Sequence, residues 1–177
     1  EYFPGGQPPA GSLASTQLLA LLMGTAGTGK TMCLKAAIDR LRVRGFDGVV
    51  VAAPTGVAAD NVGMGARTLH DLLKLHRAHP TSGAPQPLEG EDQTTLVRDL
   101  EGVGLLVVDE VSMVSRDMLA MISRRLQEWR RLKHDSVNAR RMFGGVSVIL
   151  AGDFGQLPPV RKPPTHTLLH QGFVGGD

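Results

Sequence analysis

Eight residues near the start of the chain, Gly24, Thr25, Ala26, Gly27, Thr28, Gly29, Lys30 and Thr31, have the types and spacing needed to hold a row of phosphates. They fit the pattern G-x-x-x-x-G-K-[ST] and follow an apolar run, Leu18 to Met23, that reads as a strand. Gly24, Gly27 and Gly29 permit a tight turn whose N–H groups point at phosphate oxygens, and a helix opening near Lys30 adds the positive end of its dipole. Lys30 then reaches the β and γ phosphates of a nucleotide, and the Thr31 hydroxyl holds magnesium. The alternative is a Gly-rich turn with a chance Lys-Thr; the strand before it and the helical pattern after it argue against that.

A second constellation is LLVVDE, Leu105 to Glu110, which ends a hydrophobic strand in two acids. Ligands of open α/β sheets sit at carboxyl ends of strands, so Asp109 is the expected second magnesium anchor. Glu110 is placed to orient or deprotonate an attacking water. Caps of the following turn are the plainer reading for both. In LAGDFGQLPPV, Leu150 to Val160, Pro158 and Pro159 stiffen the chain as it leaves another β-branched run. A neutral amide there, Gln156, suits a sensor of the γ phosphate or its water. Taken by itself, a Gln in a Pro-rich turn is more often a surface residue.

These residues need a scaffold, and the apolar pattern supplies one. Leu34, Ala37, Ile38 and Leu41 recur at helical spacing until Gly45. Val49 to Ala53, Leu105 to Val108 and Val146 to Ala151 are continuous apolar runs suited to buried parallel strands. Helical patterns lie between, with Leu69, Leu72 and Leu73 in one and Leu119, Ile122, Leu126 and Trp129 in another. The expected fold is α/β, a mainly parallel doubly wound sheet with helices on both faces. Residues 1–16, rich in Pro and Gly, read as a disordered lead-in, 17–160 as the phosphate-binding domain and 161–177 as a tail where a continuation begins. Ala78 to Thr95, with three prolines and three acids, reads as a solvated loop. His134 to Gly145 is a second long connection.

The chain's 177 residues, 42% hydrophobic and 20% charged, suit one globular domain. Its formal charge of +2 is too small to prove a polyanionic partner, although the pI near 9.0 leans that way. Seven of the 19 Lys and Arg lie between Arg124 and Arg141. Arg124, Arg125, Arg130, Arg131 and Lys133 include the outward face of an amphipathic helix and read as solvated. The single cysteine, Cys33, excludes an internal disulfide or a Cys-based zinc cluster, suggests a reducing compartment, and itself reads as a small buried residue. No apolar stretch is long enough to cross a membrane, and no Lys or Arg in the first 29 residues suggests a leader.

Six motifs occur in one order: GTAGTGKT, APTGVAA at Ala53 to Ala59, TLHDLL at Thr68 to Leu73, LLVVDEVSMV at Leu105 to Val114, FGG at Phe143 to Gly145, and GDFGQLPPV at Gly152 to Val160. Together they resemble the Pif-type, RecD-related DNA helicases of superfamily one. The resemblance implies a RecA-like motor domain that hydrolyses ATP and moves 5′ to 3′ along single-stranded DNA, in DNA repair, recombination or telomere maintenance. It assigns Lys30 and Thr31 to nucleotide and magnesium, Asp109 to the metal, Glu110 to the water and Gln156 to the γ phosphate. It adds Pro54, Thr55, Gly56, Thr68 and His70 as contacts to the DNA backbone. A Thr hydroxyl and free N–H groups at a helix start are reasonable phosphate donors; a helix N-cap for Thr55 and a structural histidine for His70 remain alternatives. The family's adenine-contacting Gln has no clear counterpart, since Gln17 lies only seven residues before Gly24. A second RecA-like domain with its arginine finger is expected outside this chain. The implied setting is intracellular, nuclear or mitochondrial in a eukaryote, with a monomer as the expected state. The competing reading is a truncated paralogue that binds nucleotide or DNA as a regulatory module.

Overall fold

The computed structural model describes residues 17–75, 86–153 and 155. Five strands form one parallel sheet in the order β1-β5-β4-β2-β3: β1 (Leu19–Met23), β2 (Val49–Ala53), β3 (Arg67–Thr68), β4 (Leu105–Val108) and β5 (Ser147–Gly152). Because every pair is parallel, all five carboxyl ends lie along one edge. The helices are α1 (Lys30–Val43), α2 (Gly56–Val62), α3 (Leu69–Leu72), α4 (Gly90–Asp99) and α5 (Arg116–Leu132).

Side-chain alternation along the strands sorts the core into two faces. Val51 of β2, Leu105 and Val107 of β4 and Ala151 of β5 pack on Leu34 and Ile38 of α1. The residues between them, Ala52, Leu106, Val108 and Val148, pack with α3, α4 and α5 through Leu69, Leu96, Ile122, Leu126 and Trp129. Helices thus cover both faces, as the buried β-branched runs require. Gly45, at φ 82°, ends α1 as expected, its N–H donating to the Arg42 carbonyl. β1 is different: it pairs only with β5 among the described residues, and Leu19, Leu21 and Met23 are about half exposed.

Three expectations need correction. The stretch Ala78 to Thr95 is not loop throughout, since α4 begins at Gly90 and Leu88 is buried. Glu91 and Asp92, which suggested a solvated loop, stand in the first turn of α4, where acids complement the helix dipole. Cys33 is exposed, because the buried face of α1 runs through its neighbour Leu34 and Ile38. Arg125 is fully buried rather than solvated. It pairs with Glu128 and donates to the backbone carbonyls of Gln86 and Lys74. The connection from His134 to Gly145 holds two short 3-10 turns, Asn138–Arg140 and Met142–Gly145.

Candidate active site

Of the residues singled out for chemistry, Gly24 to Thr31, Asp109 and Glu110 converge on the carboxyl edge of the sheet. β1 runs directly into the loop, whose Gly24 N–H donates to the Gly152 carbonyl at the end of β5. Gly27 (φ 75°) and Gly29 (φ 87°) take the left-handed conformation that the turn demands, and Gly29 caps α1. The first N–H groups of α1 have no intrahelical acceptor and open onto the loop. Lys30 folds back over it, Nζ donating to the carbonyls of Gly24 at 2.7 Å and Thr25 at 3.0 Å. Its charge is therefore held against the backbone of the loop.

Alternation also explains how the two halves of the site meet. Leu105 and Val107 face α1, so Asp109, two further along, faces α1 as well. There its Oδ2 lies 3.4 Å from the Thr31 hydroxyl, which donates to it. Asp109 is 4% exposed, and its Oδ1 accepts the Glu110 N–H at 2.9 Å. The pair offers hard oxygen ligands of the kind magnesium takes. Among the described residues no cluster of three His, Cys, Asp or Glu could hold a metal by itself, and phosphate and water are the usual further ligands of a magnesium ion held by one or two protein oxygens. The donor set fits that use.

Glu110 departs from the strand in a left-handed conformation, φ 55°. This is an uncommon backbone for a residue with a side chain. The turn that follows, Val111–Met113, passes so close to β5 that a Cβ on Gly152 would stand 2.9 Å from the Val111 nitrogen. Glycine is needed there to let the Glu110 segment close on the sheet. Burial holds the Glu110 carboxyl above its ordinary range, the negative charge of Asp109 adds to this, Lys30 opposes it and Asp153 reinforces it. Asp153 was not singled out from the sequence, yet alternation from Ile149 and Ala151 puts it on the α1 side of β5 beside the loop.

Thr55 and Thr68 both stand at this edge as N-caps. The Thr55 hydroxyl accepts the Ala58 N–H at 3.2 Å, and that of Thr68 accepts the Asp71 N–H at 3.1 Å. Each hydroxyl's own O–H is not used by its cap, so a capping role leaves it able to donate elsewhere. His70 is exposed in the first turn of α3, and Pro54 and Gly56 flank Thr55 at the start of α2. A cavity of about 230 Å³ lies between this turn and the segment that follows β4, lined by Thr55, Ala58, Asn61, Glu110 and Ser112. Gln17 sits elsewhere, donating to the carbonyls of Met142 and Val146 ahead of β5. Gln156 and Phe154 lie outside the described residues, as do 1–16 and the tail from 156 onward.

A parallel sheet with helices on both faces, a phosphate loop after its edge strand and a Thr-Asp pair beside it define a RecA-like P-loop nucleotide-binding domain. The chain belongs to the PIF1-like helicase family, whose model matches residues 12–171. It is 36% identical over 145 residues to the ATP-dependent DNA helicase PIF1 of Saccharomyces cerevisiae, covering 80% of this chain and 15% of that protein. It is 34% identical over 151 residues to the helicase RRM3 of the same species, covering 82% of this chain and 19% of that one. Among solved structures, it resembles Bacteroides Pif1 helicase in complex with ADP-AlF3 and single-stranded DNA, at a TM-score of 0.65 and 35% identity over 85% of this chain and 32% of that one. The chain therefore spans about a sixth of the length of the yeast relatives it matches. No helix among the described residues is long and apolar enough to cross a membrane.

Proposed function

We propose that the chain is the ATP-binding half of a DNA helicase motor that couples ATP hydrolysis to 5′ to 3′ movement along single-stranded DNA, in repair, recombination or telomere maintenance. The carrying observation is the meeting of Thr31 and Asp109 at the mouth of the phosphate loop. In this reading the backbone of Gly24 to Thr31 and the Lys30 ammonium hold the β and γ phosphates, and Thr31 and Asp109 hold magnesium. An ion held there would supply neutralisation of the charge that develops on the phosphates. Glu110 takes the proton of the attacking water; a carboxyl held above its ordinary range by burial is a better base than an exposed one. Gln156 contacts the γ phosphate or that water.

Thr55, Thr68 and the turn around them hold the DNA backbone through hydroxyl and N–H donors, with His70 beside them. The shared cavity supports a short physical route from that turn to Glu110. Residues 17–160 form the nucleotide-binding domain, and a second RecA-like domain carrying an arginine finger completes the site. The setting is intracellular, in nucleus or mitochondrion if the source is a eukaryote.

The reading is tested by titrating the chain with a fluorescent ATP analogue and by its ATPase with and without oligo-dT, beside a version joined to a second RecA-like domain. The chain alone should bind nucleotide and turn it over very slowly, since an arginine finger contributes about 10³ to 10⁵ in rate. Robust DNA-stimulated turnover by the chain alone would contradict the half-motor reading.

A further inference from the structure

The basic stretch on and after α5 divides cleanly by what its cations touch. Arg125 is buried against Glu128 and two carbonyls. Arg130 lies over the Trp129 ring at 4.2 Å, donates to the Gly144 carbonyl and pairs with Asp135. Lys133 pairs with Glu101. These three hold the fold together. Arg116, Arg124 and Arg131 are exposed and make no ion pair or side-chain hydrogen bond among the described residues.

Their spacing is eight and then seven residues, which on an α-helix keeps them on one side at intervals of about 12 and 10 Å along the axis. Between them lie two cavities. One, of about 530 Å³, is bordered by Arg116 and Arg124, with Leu119, Phe143 and the exposed Met142 as apolar walls. The other, of about 420 Å³, is bordered by Arg124 and Arg131 beside Pro87. Gln127 lines both. Glu128 also lines the second, but Arg125 holds its charge. The surface thus alternates cation, hollow, cation, hollow, cation.

We infer that this side of α5 is a second contact for single-stranded DNA, separate from the Thr55 and Thr68 turn. The free cations match phosphates, and the part-apolar hollows match bases that are not paired. A duplex keeps its bases stacked inside and would leave the hollows unfilled, and an acidic protein segment has no need of them. α5 starts just past Asp109 and its turn, so a strand held at the carboxyl edge can continue past Arg116 down the flank. The inference rests on the proposed DNA motor.

The test compares the full chain with its Arg116→Gln/Arg124→Gln/Arg131→Gln variant, binding fluorescent oligo-dT over a salt series. Each lost phosphate contact should flatten the log–log salt slope by about 0.7, so the triple variant should lose about 2 and bind about 10- to 100-fold more weakly at low salt. A Met142→Glu variant, which puts a negative charge into the wall of the hollow that Arg116 and Arg124 border, should weaken binding as well. Circular dichroism and the thermal midpoint report whether each variant is folded; all four positions are exposed, and a Thr55→Ala/Thr68→Ala variant is run alongside. An unchanged slope and affinity in the triple variant, with wild type and the Thr variant behaving as the motor reading expects, overturns the α5 contact alone. An equal loss for duplex, or equal binding of poly-glutamate, overturns the single-strand assignment. Failure of the unaltered chain to bind any DNA overturns the motor reading together with this one.

Discussion

Thr31 and Asp109 are 78 residues apart in sequence and 3.4 Å apart at Oγ1 and Oδ2. Neither position means much alone. Their meeting depends on β1 and β4 ending on the same edge with β5 between them, and on alternation turning Asp109 toward the helix that follows the loop.

Replacement of Lys30 by Ala should weaken magnesium-nucleotide binding about 10- to 100-fold, the range of one or two charge-assisted hydrogen bonds of roughly 1.5 to 3 kcal/mol. The loop itself should persist, because its turns rest on backbone geometry. Titration with a fluorescent ATP analogue measures this, and equal affinity in wild type and variant would remove the loop from the proposal.

Glu110→Gln should separate binding from chemistry. Joined to a second RecA-like domain, the variant should bind ATP normally and turn it over on the order of 10²-fold more slowly or worse. Stability gives an independent check. The carboxyl's folded value is raised above its ordinary 4.5, so its contribution favours the fold at acid pH and is lost as pH rises through the raised value. The amide variant should therefore be at least as stable as wild type at pH 7, with the difference shrinking toward pH 4. A variant clearly less stable at neutral pH would mean that the Glu110 charge is paired rather than crowded.

The Arg67–Asp99 pair behaves oppositely. Burial pushes the Asp99 carboxyl up, but the hydrogen bond and charge of Arg67 outweigh it and hold it below 3.8. Its stabilisation is present above that value and is lost as pH falls through the lowered one. Asp99→Asn should cost about 1 kcal/mol at pH 7, a modest figure because Arg67 is partly exposed, and less near pH 3. Urea melts at the two pH values decide it; a pH-independent cost would point to packing instead.

For Arg125, replacement by Met should cost about 3 to 5 kcal/mol, because the Glu128 carboxylate would be left half buried without its partner. In a domain of this size that lowers the thermal midpoint by about 6 °C or more. A loss under about 2 °C would show that solvent reaches Glu128 and that the pair carries little.

Much of this was legible beforehand, for identifiable reasons. The loop is local, its glycines and Lys-Thr adjacent in sequence. The strands announce themselves as apolar runs, because parallel sheets bury both faces. Thr55 and Thr68 could be read as helix starts, and both are. What escaped depends on distant partners or on misleading composition. α4 was hidden because its first-turn acids follow prolines and resemble a solvated loop. The burial of Arg125 cannot be read from an amphipathic stripe, since the carbonyls that accept from it belong to Lys74 and Gln86. Asp153 was overlooked although the alternation of β5 points to it.

Arg125 and Glu128 together grip both ends of one connection, Arg125 through the carbonyls of Lys74 and Gln86 and Glu128 through the Leu88 N–H. Loss of either side chain should therefore release backbone at Lys74, Gln86 or Leu88 as well as at α5, so that one ion pair ties three distant points of the chain to a single helix.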